Sequence, residues 1–349
     1  MKNMKKDVKA LTRLIDVTRF FVAILIVISI ILGIQTSEAF SFREMSLKFA
    51  QLSDTHITDR ADTSYKMLSG SKQFLEDAIE QLNEIKDLDF VVFTGDMVDT
   101  PTVLNYEGFF ALTNELKHPY IFSFGNHDFA ADNYASANVP GLSKSCVLNM
   151  AKESAPNMAF QKPWYAFSPK KDFRVIVLDL TIDERETSNG RISQEQLNFL
   201  SRELQEHPDK IIIIFHHMPV VQPFHAETHK VLNADEYLST ISEFKNPILI
   251  FSGHYHTTKI IRNGNTIHVS TPSMVTYPNA FRVVNIISYA DRAVFDFDFR
   301  ETRLGEMQSK CKSMTLAPSA HVGTEKDRVV TITLNKNKSD SSKKTKKQQ

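Results

Sequence analysis

The sequence is poor in cysteine and glycine and has no excess charge of either sign. Its 349 residues include 2 cysteines and 11 glycines, too few for a disulfide-stapled scaffold or a collagen-like chain. Basic and acidic residues number 41 each, but the two ends hold 12 of the basic and 4 of the acidic ones. This leaves 29 basic and 37 acidic residues in 40–334, so we expect no binding to nucleic acid.

Three common catalytic motifs are also missing. The chain has no Gly-x-x-x-x-Gly-Lys-Ser/Thr loop, no Gly-x-Ser-x-Gly turn and no His-Glu-x-x-His pair. Their absence excludes P-loop nucleotidases, serine hydrolases of the α/β class and zincin proteases. The two cysteines, Cys146 and Cys311, could pair after export or remain separate thiols, and we assign them no function.

The two ends of the chain differ from its middle. Residues 1–19 are basic and precede an uncharged, predominantly apolar run at 20–34, which predicts a signal peptide or an N-terminal membrane anchor within 1–39. Either alternative leaves the lysines in the cytoplasm and places the rest outside it, as a membrane-anchored or secreted domain. Residues 301–334 form a C-terminal extension, and the Lys-rich tail 335–349 is predicted to be disordered.

Short β-branched runs alternate with amphipathic stretches through the middle of the chain. Helical spacing predicts helices at 71–86 and 193–206, the second with a capping box formed by Ser193 and Gln196. The alternation favours an α/β sandwich in one domain over residues 45–300. The predicted strands are 47–52, 90–94, 120–124, 173–178, 211–215, 248–251, 266–270, 283–287 and 293–299.

Five of these strands run directly into a polar cluster. In chain order the clusters are Asp54-Thr55-His56, Gly95-Asp96, Gly125-Asn126-His127-Asp128, His216-His217 and Gly253-His254-Tyr255-His256. The carboxyl ends of strands form the ligand crevice of open α/β sheets, so all five can converge on one site. A glycine precedes three of the clusters, where the backbone must turn sharply and approach a ligand closely.

The residue types in these clusters predict two metal ions. Carboxylate, imidazole and amide groups without thiolate favour Mn, Fe or Zn at a hydrolytic site. Asp96 is the candidate to bridge two ions about 3.5–4 Å apart. The candidate ligands are Asp54, His56, Asp96, Asn126, His216, His254 and His256.

The ordered clusters resemble those of the calcineurin-like metallophosphoesterase superfamily, and within it the class III cyclic-nucleotide phosphodiesterases. The resemblance implies a four-layer α-β-β-α sandwich of two mixed sheets with a dinuclear metal site at the strand ends. It implies that one ion is held by Asp54, His56 and His256, that the other is held by Asn126, His216 and His254, and that Asp96 bridges them. His216 is preferred to His217 as the ligand. The resemblance also implies that His127 acts on the leaving oxygen and that Asp99 orients His127.

The expected activity is therefore hydrolysis of a small phosphodiester, with a cyclic nucleotide among the candidate substrates. The implied mechanism is in-line attack on phosphorus by a hydroxide shared between the metals. A nucleotide-sugar or lipid-linked pyrophosphatase is the alternative enzyme, and a non-catalytic scaffold on the same fold is the third possibility. The oligomeric state is left open.

Overall fold

The computed structural model describes residues 44–133, 140–154 and 162–336. The predicted signal or anchor segment 1–39, and the tail beyond Lys336, lie outside these ranges, so membrane attachment and export stay predictions. Among the described residues, no helix combines the length and the apolar character needed to cross a bilayer.

All nine predicted strands are present, with ends that differ by a few residues. The strands are β1 (Met45–Leu52), β2 (Phe90–Thr94), β3 (Tyr120–Ser123), β4 (Tyr165–Phe167), β5 (Phe173–Val177), β6 (Ile211–Phe215), β7 (Ile248–Ser252), β8 (Lys259–Asn263), β9 (Thr266–Ser270), β10 (Ala280–Ser288), β11 (Arg292–Glu301) and β12 (Val330–Asn335). Sequence reasoning missed β4, β8 and β12.

The helices lie between and after the strands. They are α1 (Ser71–Asn83), α2 (Val103–Thr113), α3 (Lys144–Ser154), α4 (Gln194–Glu206), α5 (Ala234–Ser242), α6 (Gly305–Met314), α7 (Pro318–Val322) and α8 (Glu325–Arg328). Helices α1 and α4 correspond to the two predicted ones. Ser193 caps α4 by accepting from the Gln196 N–H at 3.3 Å. The predicted capping box is incomplete, because the Gln196 side chain bonds both backbone groups of Asp179 instead.

Two six-stranded mixed sheets form the centre of the fold. The first has the order β12-β11-β10-β1-β2-β3, in which β1, β2 and β3 are parallel and the other pairs antiparallel. The second has the order β4-β5-β6-β7-β9-β8, with β5, β6, β7 and β9 parallel. The parallel strands of each sheet therefore end at one edge, which is where the polar clusters follow.

The sheets pack face to face through an aromatic core. The ring of Phe49 in β1 meets Phe215 of β6 at 5.4 Å and Phe251 of β7 at 5.2 Å, both edge to face. Helices α4 and α5 cover the outer face of the second sheet, where Leu200 and Tyr237 pack against alternate residues of β5, β6 and β7. Helices α1 and α2 add their apolar faces to the core of the first sheet. The predicted four-layer α/β sandwich is confirmed.

The predicted C-terminal extension is built into the domain. Its strand β12 pairs antiparallel with β11 and extends the first sheet. The buried guanidinium of Arg282 in β10 donates to the carbonyls of Ser270 and Asp327, at 3.3 and 2.7 Å. The Asp327 carboxylate accepts from the N–H groups of Ile260 and Thr324, so it fastens α8 to β8.

We expect Asp327→Ala to lower the free energy of unfolding at pH 7 by about 1–2 kcal/mol, because two partly buried N–H groups lose their acceptor. Burial alone would raise the pKa of Asp327, but the hydrogen bonds from Thr324 and Ile260 lower it below 3.8. A depressed pKa stabilises the fold above the unfolded-state value, and this contribution is lost as the pH falls through the folded-state value. The difference between wild type and variant, measured by urea unfolding, should therefore shrink below about pH 4.

Asp59→Ala is the matched control, since Asp59 forms a surface ion pair with Lys72 and is 62% exposed. Such a pair contributes at most about 1 kcal/mol. Equal effects of the two substitutions at pH 7 would contradict the proposed fastening of α8.

Candidate metal centre

The polar clusters follow the ends of parallel strands, as the sequence predicts. Asp54 and His56 follow β1, Asp96 follows β2, and Asn126 and His127 follow β3. The double histidine follows β6, and His254 and His256 follow β7. Backbone hydrogen bonds from Asp54 N to Gly95 O (3.0 Å) and from His56 N to Asp96 O (2.9 Å) tie the first two loops together. The polar loops that follow the parallel strands of both sheets thus lie close together.

The side chains form two buried groups with metal-ligand character. The first contains Asp54, His56 and His256, with 3.2 Å between His256 Nε2 and Asp54 Oδ1. The second contains Asp96, His217 and His254, with 3.3 Å between His217 Nε2 and Asp96 Oδ2. In each group the potential ligand atoms all lie within 4.8 Å of one another.

Asp96 stands between the two groups. Its Oδ2 lies 3.3 Å from His217 Nε2 of the second group and 3.6 Å from His56 Nε2 of the first. Its Oδ1 accepts a hydrogen bond from the His127 N–H at 3.0 Å. This is the position that a carboxylate shared by two ions would need.

The structure corrects the choice between the two adjacent histidines. His217 lies in the second group, whereas the predicted His216 points to the opposite face of the sheet and packs against Tyr237 at 5.7 Å. The reason is the alternation of side chains along β6. Ile213 and Phe215 face the core between the sheets, and Ile212 and Ile214 face the helices. Position 216 therefore faces the helices and position 217 faces the other sheet.

Several buried polar atoms in these groups have no hydrogen-bond partner within the described residues. They are Asp54 Oδ1 and both ring nitrogens of His56 in the first group, and Asn126 Oδ1, which lies outside the two groups in the loop after β3, is a further one. An unpaired buried polar atom is costly, so several of them at one place are typical of a ligand-binding site. Carboxylate, imidazole and amide atoms fit borderline divalent metal ions. The residues present are therefore suited to hold such ions.

The protonation states also suit metal binding. Burial lowers the pKa values of His56, His254 and His256, which leaves these imidazoles neutral at pH 7 and their lone pairs available. Burial would lower the pKa of His217 too, but the carboxylates of Asp96 and Asp54 raise it to about 9. A metal ion bound by His217 must therefore displace a proton.

The backbone of the clusters is strained. Five non-glycine residues of the clusters have a left-handed backbone conformation, with φ between 44° and 68°. They are Asp54, His56, Asp96, His254 and His256. Such a conformation costs about 1–3 kcal/mol per residue and is typical of functional sites. The surrounding hydrogen bonds and contacts must hold these residues in place.

Glycine is required at the three predicted positions. A Cβ on Gly253 would lie 1.7 Å from Ser53 Oγ, and one on Gly125 would lie 2.3 Å from Asp96 Oδ1. Gly95 has φ of +82°, and its Cβ would lie 2.6 Å from His217 Nδ1. The backbone at these glycines therefore lies close against site side chains, and its close approach to a ligand stays a prediction.

His127 is placed beside the groups, but its contact with Asp99 differs from the prediction. His127 Nδ1 bonds the backbone carbonyl of Asp99 at 2.8 Å. Because a carbonyl only accepts, Nδ1 carries the hydrogen in this bond. The Asp99 carboxylate instead lies 3.5 Å from His56 Nδ1 and 2.8 Å from Arg60 Nη1. The main-chain carbonyl of Asp99 thus orients His127, and the Asp99 carboxylate contacts His56 and Arg60 instead.

Sequence reasoning missed the role of Asp128. Its buried carboxylate accepts from the N–H groups of Met97 and Gly125, both at 2.7 Å. It therefore joins the loop after β2 to the loop after β3. The signal was its place inside a strand-end cluster, where aspartate commonly accepts from nearby backbone N–H groups.

Two cavities open beside the groups, and they share no lining residue. One, of about 470 Å³, is lined by polar residues that include Arg60, Asn126 and His127. The other, of about 250 Å³, is lined by His254, His256 and several further rings. The candidate ligand Asn126 borders the first cavity, and the candidate ligands His254 and His256 border the second.

Comparison with known proteins agrees with this geometry. A family model described as calcineurin-like phosphoesterase matches residues 47–258. A probable cyclic nucleotide phosphodiesterase of Fibrobacter succinogenes is 28% identical over 230 residues, which cover 65% of this chain and 79% of the relative. A probable glycerophosphodiester phosphodiesterase, GpdQ, of Arcobacter nitrofigilis is 27% identical over 210 residues, covering 59% and 70%.

A solved structure shares the fold. The dimetal phosphatase of Danio rerio superposes with a TM-score of 0.56 at 19% identity, over 73% of this chain and 99% of that one. The chain belongs to the calcineurin-like phosphoesterase family, and it is a hydrolytic phosphoesterase. The expected resemblance to this superfamily and to its cyclic-nucleotide group is confirmed. Family membership and the two ligand groups support a binuclear site for divalent metal ions.

A matched pair of variants tests the positions of His216 and His217. We expect His217→Gln to lose bound metal, because a glutamine amide is a poor substitute for an imidazole ligand. His216→Gln should keep the metal content of the wild type, since its ring faces Tyr237. Inductively coupled plasma mass spectrometry of the purified proteins measures the number of metal ions per chain, and circular dichroism verifies that each variant is folded. Metal loss in His216→Gln alone would contradict the placement.

Proposed function

We propose that this chain hydrolyses small phosphodiesters at two divalent metal ions. The observation that carries the proposal is the buried Asp96 carboxylate, which lies between two groups of ligand side chains. Asp96 accepts a hydrogen bond from the His127 N–H, and His127 borders a polar cavity. Asp54, His56 and His256 would hold one ion, and Asn126, His217 and His254 would hold the other, with the Asp96 carboxylate between the two sets.

The ligand set supports Mn, Fe or Zn, because it combines carboxylates with imidazoles and has no thiolate. Such ions supply Lewis acidity: they lower the pKa of bound water towards 7 and neutralise charge on the phosphoryl oxygens. The chain's own contribution is to exclude water from the buried ligand atoms and to fix their positions through strained, hydrogen-bonded loops. Fixed positions lower the entropic cost of reaching the transition state.

His127 is the proposed proton donor to the departing ester oxygen. Its Nδ1–H is held by the Asp99 carbonyl, so Nε2 is the ring atom that can carry the proton to be transferred. Arg60 borders the same cavity and places a guanidinium near the phosphate charge. Both residues act on groups that gain charge as the ester bond breaks.

The two cavities support a diester rather than a monoester. A phosphodiester carries two organic substituents, and the centre is flanked by two separate spaces that border different ligand side chains. The relatives named above also carry the names of diester hydrolases. We therefore propose that the ester bond on the His127 side is the one that breaks, while the other ester bond to phosphorus stays.

A turnover screen tests this function. The full chain, stripped and reloaded with Mn, Zn or Fe, is assayed with bis-p-nitrophenyl phosphate, p-nitrophenyl phosphate, a 3′,5′-cyclic nucleotide and a nucleotide-sugar. We expect turnover of diesters, its loss on chelation and its return with metal. Metal-independent turnover, or turnover of the monoester or nucleotide-sugar alone, would refute the proposal.

The role of His127 predicts a dependence on the leaving group. His127→Ala should keep its metal content and lose about 10²–10⁴-fold in kcat with an alkyl ester, which needs protonation to depart. The loss should be much smaller with p-nitrophenolate, which departs without a proton. His207→Ala is the control, because His207 lies at the far end of α4. Equal losses with both leaving groups would show that His127 stabilises charge and donates no proton.

A further inference from the structure

Lys66, in the loop between β1 and α1, is a buried cation that the proposed mechanism does not use. Within the described ranges 44–133, 140–154 and 162–336 it is the one lysine that is buried, and its side chain is 7% exposed. Lysine is rarely buried without a partner, because its ammonium loses its hydration there. Among the same residues, the one carboxylate oxygen within 4.0 Å of Lys66 Nζ is Asp99 Oδ1, at a distance longer than a hydrogen bond. The ammonium can therefore still bind an anion.

The Asp99 carboxylate cannot balance the charges that face it. Its Oδ2 already pairs with Arg60 Nη1 at 2.8 Å, while its Oδ1 faces Lys66. Two cations thus share one carboxylate. The carboxylates of Asp54 and Asp96 lie nearby, but both belong to the metal-ligand groups. This side of the centre therefore has an excess of positive charge that suits an anionic ligand.

The Lys66 ammonium also lies beside the first ligand group. The oxygen Asp99 Oδ1, which is 4.0 Å from Lys66 Nζ, is 3.5 Å from His56 Nδ1. Burial lowers the pKa values of His56 and His256, and the positive charge of Lys66 lowers both further. The ammonium is therefore close enough to act on the space where these two imidazoles meet.

The position of Lys66 relative to the two cavities indicates what it would contact. Asp99 lines the larger cavity, and Tyr65 lines the smaller one. Lys66 Nζ lies 4.0 Å from the Asp99 carboxylate and 5.8 Å from the centroid of the Tyr65 ring. In the proposed function the two cavities flank the phosphorus of a diester. A group between them therefore meets the phosphoryl oxygens.

Backbone hydrogen bonds hold the loop that carries Lys66. The Lys66 N–H donates to Thr63 Oγ1 at 3.0 Å, and the Lys66 carbonyl accepts from the Thr63 N–H at 3.0 Å. The next N–H, that of Met67, donates to the Val275 carbonyl at 2.8 Å. A cation on a loop fixed before binding reduces the ordering entropy that binding costs.

From this geometry we propose that the Lys66 ammonium binds a nonbridging oxygen of the phosphoryl group and stabilises its negative charge during hydrolysis. The proposal rests on the proposed function above. These oxygens carry one negative charge in a diester, and attack by hydroxide adds a second. A fixed cation therefore stabilises the transition state more than the bound substrate.

Two substitutions separate charge from packing at this position. Lys66→Met keeps an unbranched apolar chain and removes the ammonium, whereas Lys66→Arg keeps the charge. For the Mn-loaded protein, titration calorimetry with inorganic phosphate should show binding about 10- to 100-fold weaker in Lys66→Met. With bis-p-nitrophenyl phosphate, the fall in kcat should exceed the rise in KM. Lys66→Arg should retain most of the phosphate affinity.

Metal content distinguishes this role from a structural one. A lysine that only holds Asp99 and His56 in place would lose bound metal when it is replaced, and that result would overturn the proposal. So would a phosphate affinity of Lys66→Met equal to that of the wild type. Lys162→Met is the matched control, because Lys162 is 58% exposed and pairs with Glu195 at the surface. If circular dichroism shows that Lys66→Met is unfolded, Lys66→Gln gives the same comparison.

The two measurements also separate this proposal from the function on which it rests. If the wild type hydrolyses no diester, the proposed function fails, and the affinities for inorganic phosphate decide about Lys66. Weaker binding in Lys66→Met at unchanged metal content would still support an anion-binding lysine. Equal affinities would overturn it.

Discussion

The buried carboxylate of Asp96 is the charge around which the loops at the strand ends are arranged. A carboxylate taken out of water costs several kcal/mol unless hydrogen bonds or opposite charges compensate for it. Here the compensation comes from the N–H of His127 and the rings of His217 and His56. These groups follow three different strands in two sheets. The relative position of the sheets, set by the Phe49 core, is therefore what makes the site possible.

The central strands could be predicted because they are buried on both faces and appear as continuous β-branched runs, such as 211–215 and 248–251. The peripheral strands could not. Strand β4 has three residues, and β8 is partly exposed and carries Lys259 and Arg262, so neither has a clear hydrophobic pattern. Strand β12 does alternate, but it precedes a lysine-rich tail whose composition masks the pattern.

The residues that make up the site could be predicted more completely than the directions in which their side chains point. Residue types and order brought Asp54, His56 and His256 to one place, since strand ends meet at a sheet edge. Side-chain alternation continued from Phe215 assigns His217, and not His216, to the interior, so this feature can be predicted from the sequence. The contact of His127 with Asp99 was not predictable in this way. It uses a main-chain carbonyl, which residue identity does not reveal.

The left-handed backbones of the ligand-type residues have a consequence for how such a protein can change over time. At His56, whose ring nitrogens have no hydrogen-bond partner within the described residues, replacement by glycine would relieve about 1–2 kcal/mol of backbone strain while it removes a ligand atom. Loss of a ligand and relief of backbone strain thus favour the same substitution at this position. A copy freed from selection for hydrolysis would regain part of its folding free energy with the loss of this ligand, and its sandwich would remain available for another use.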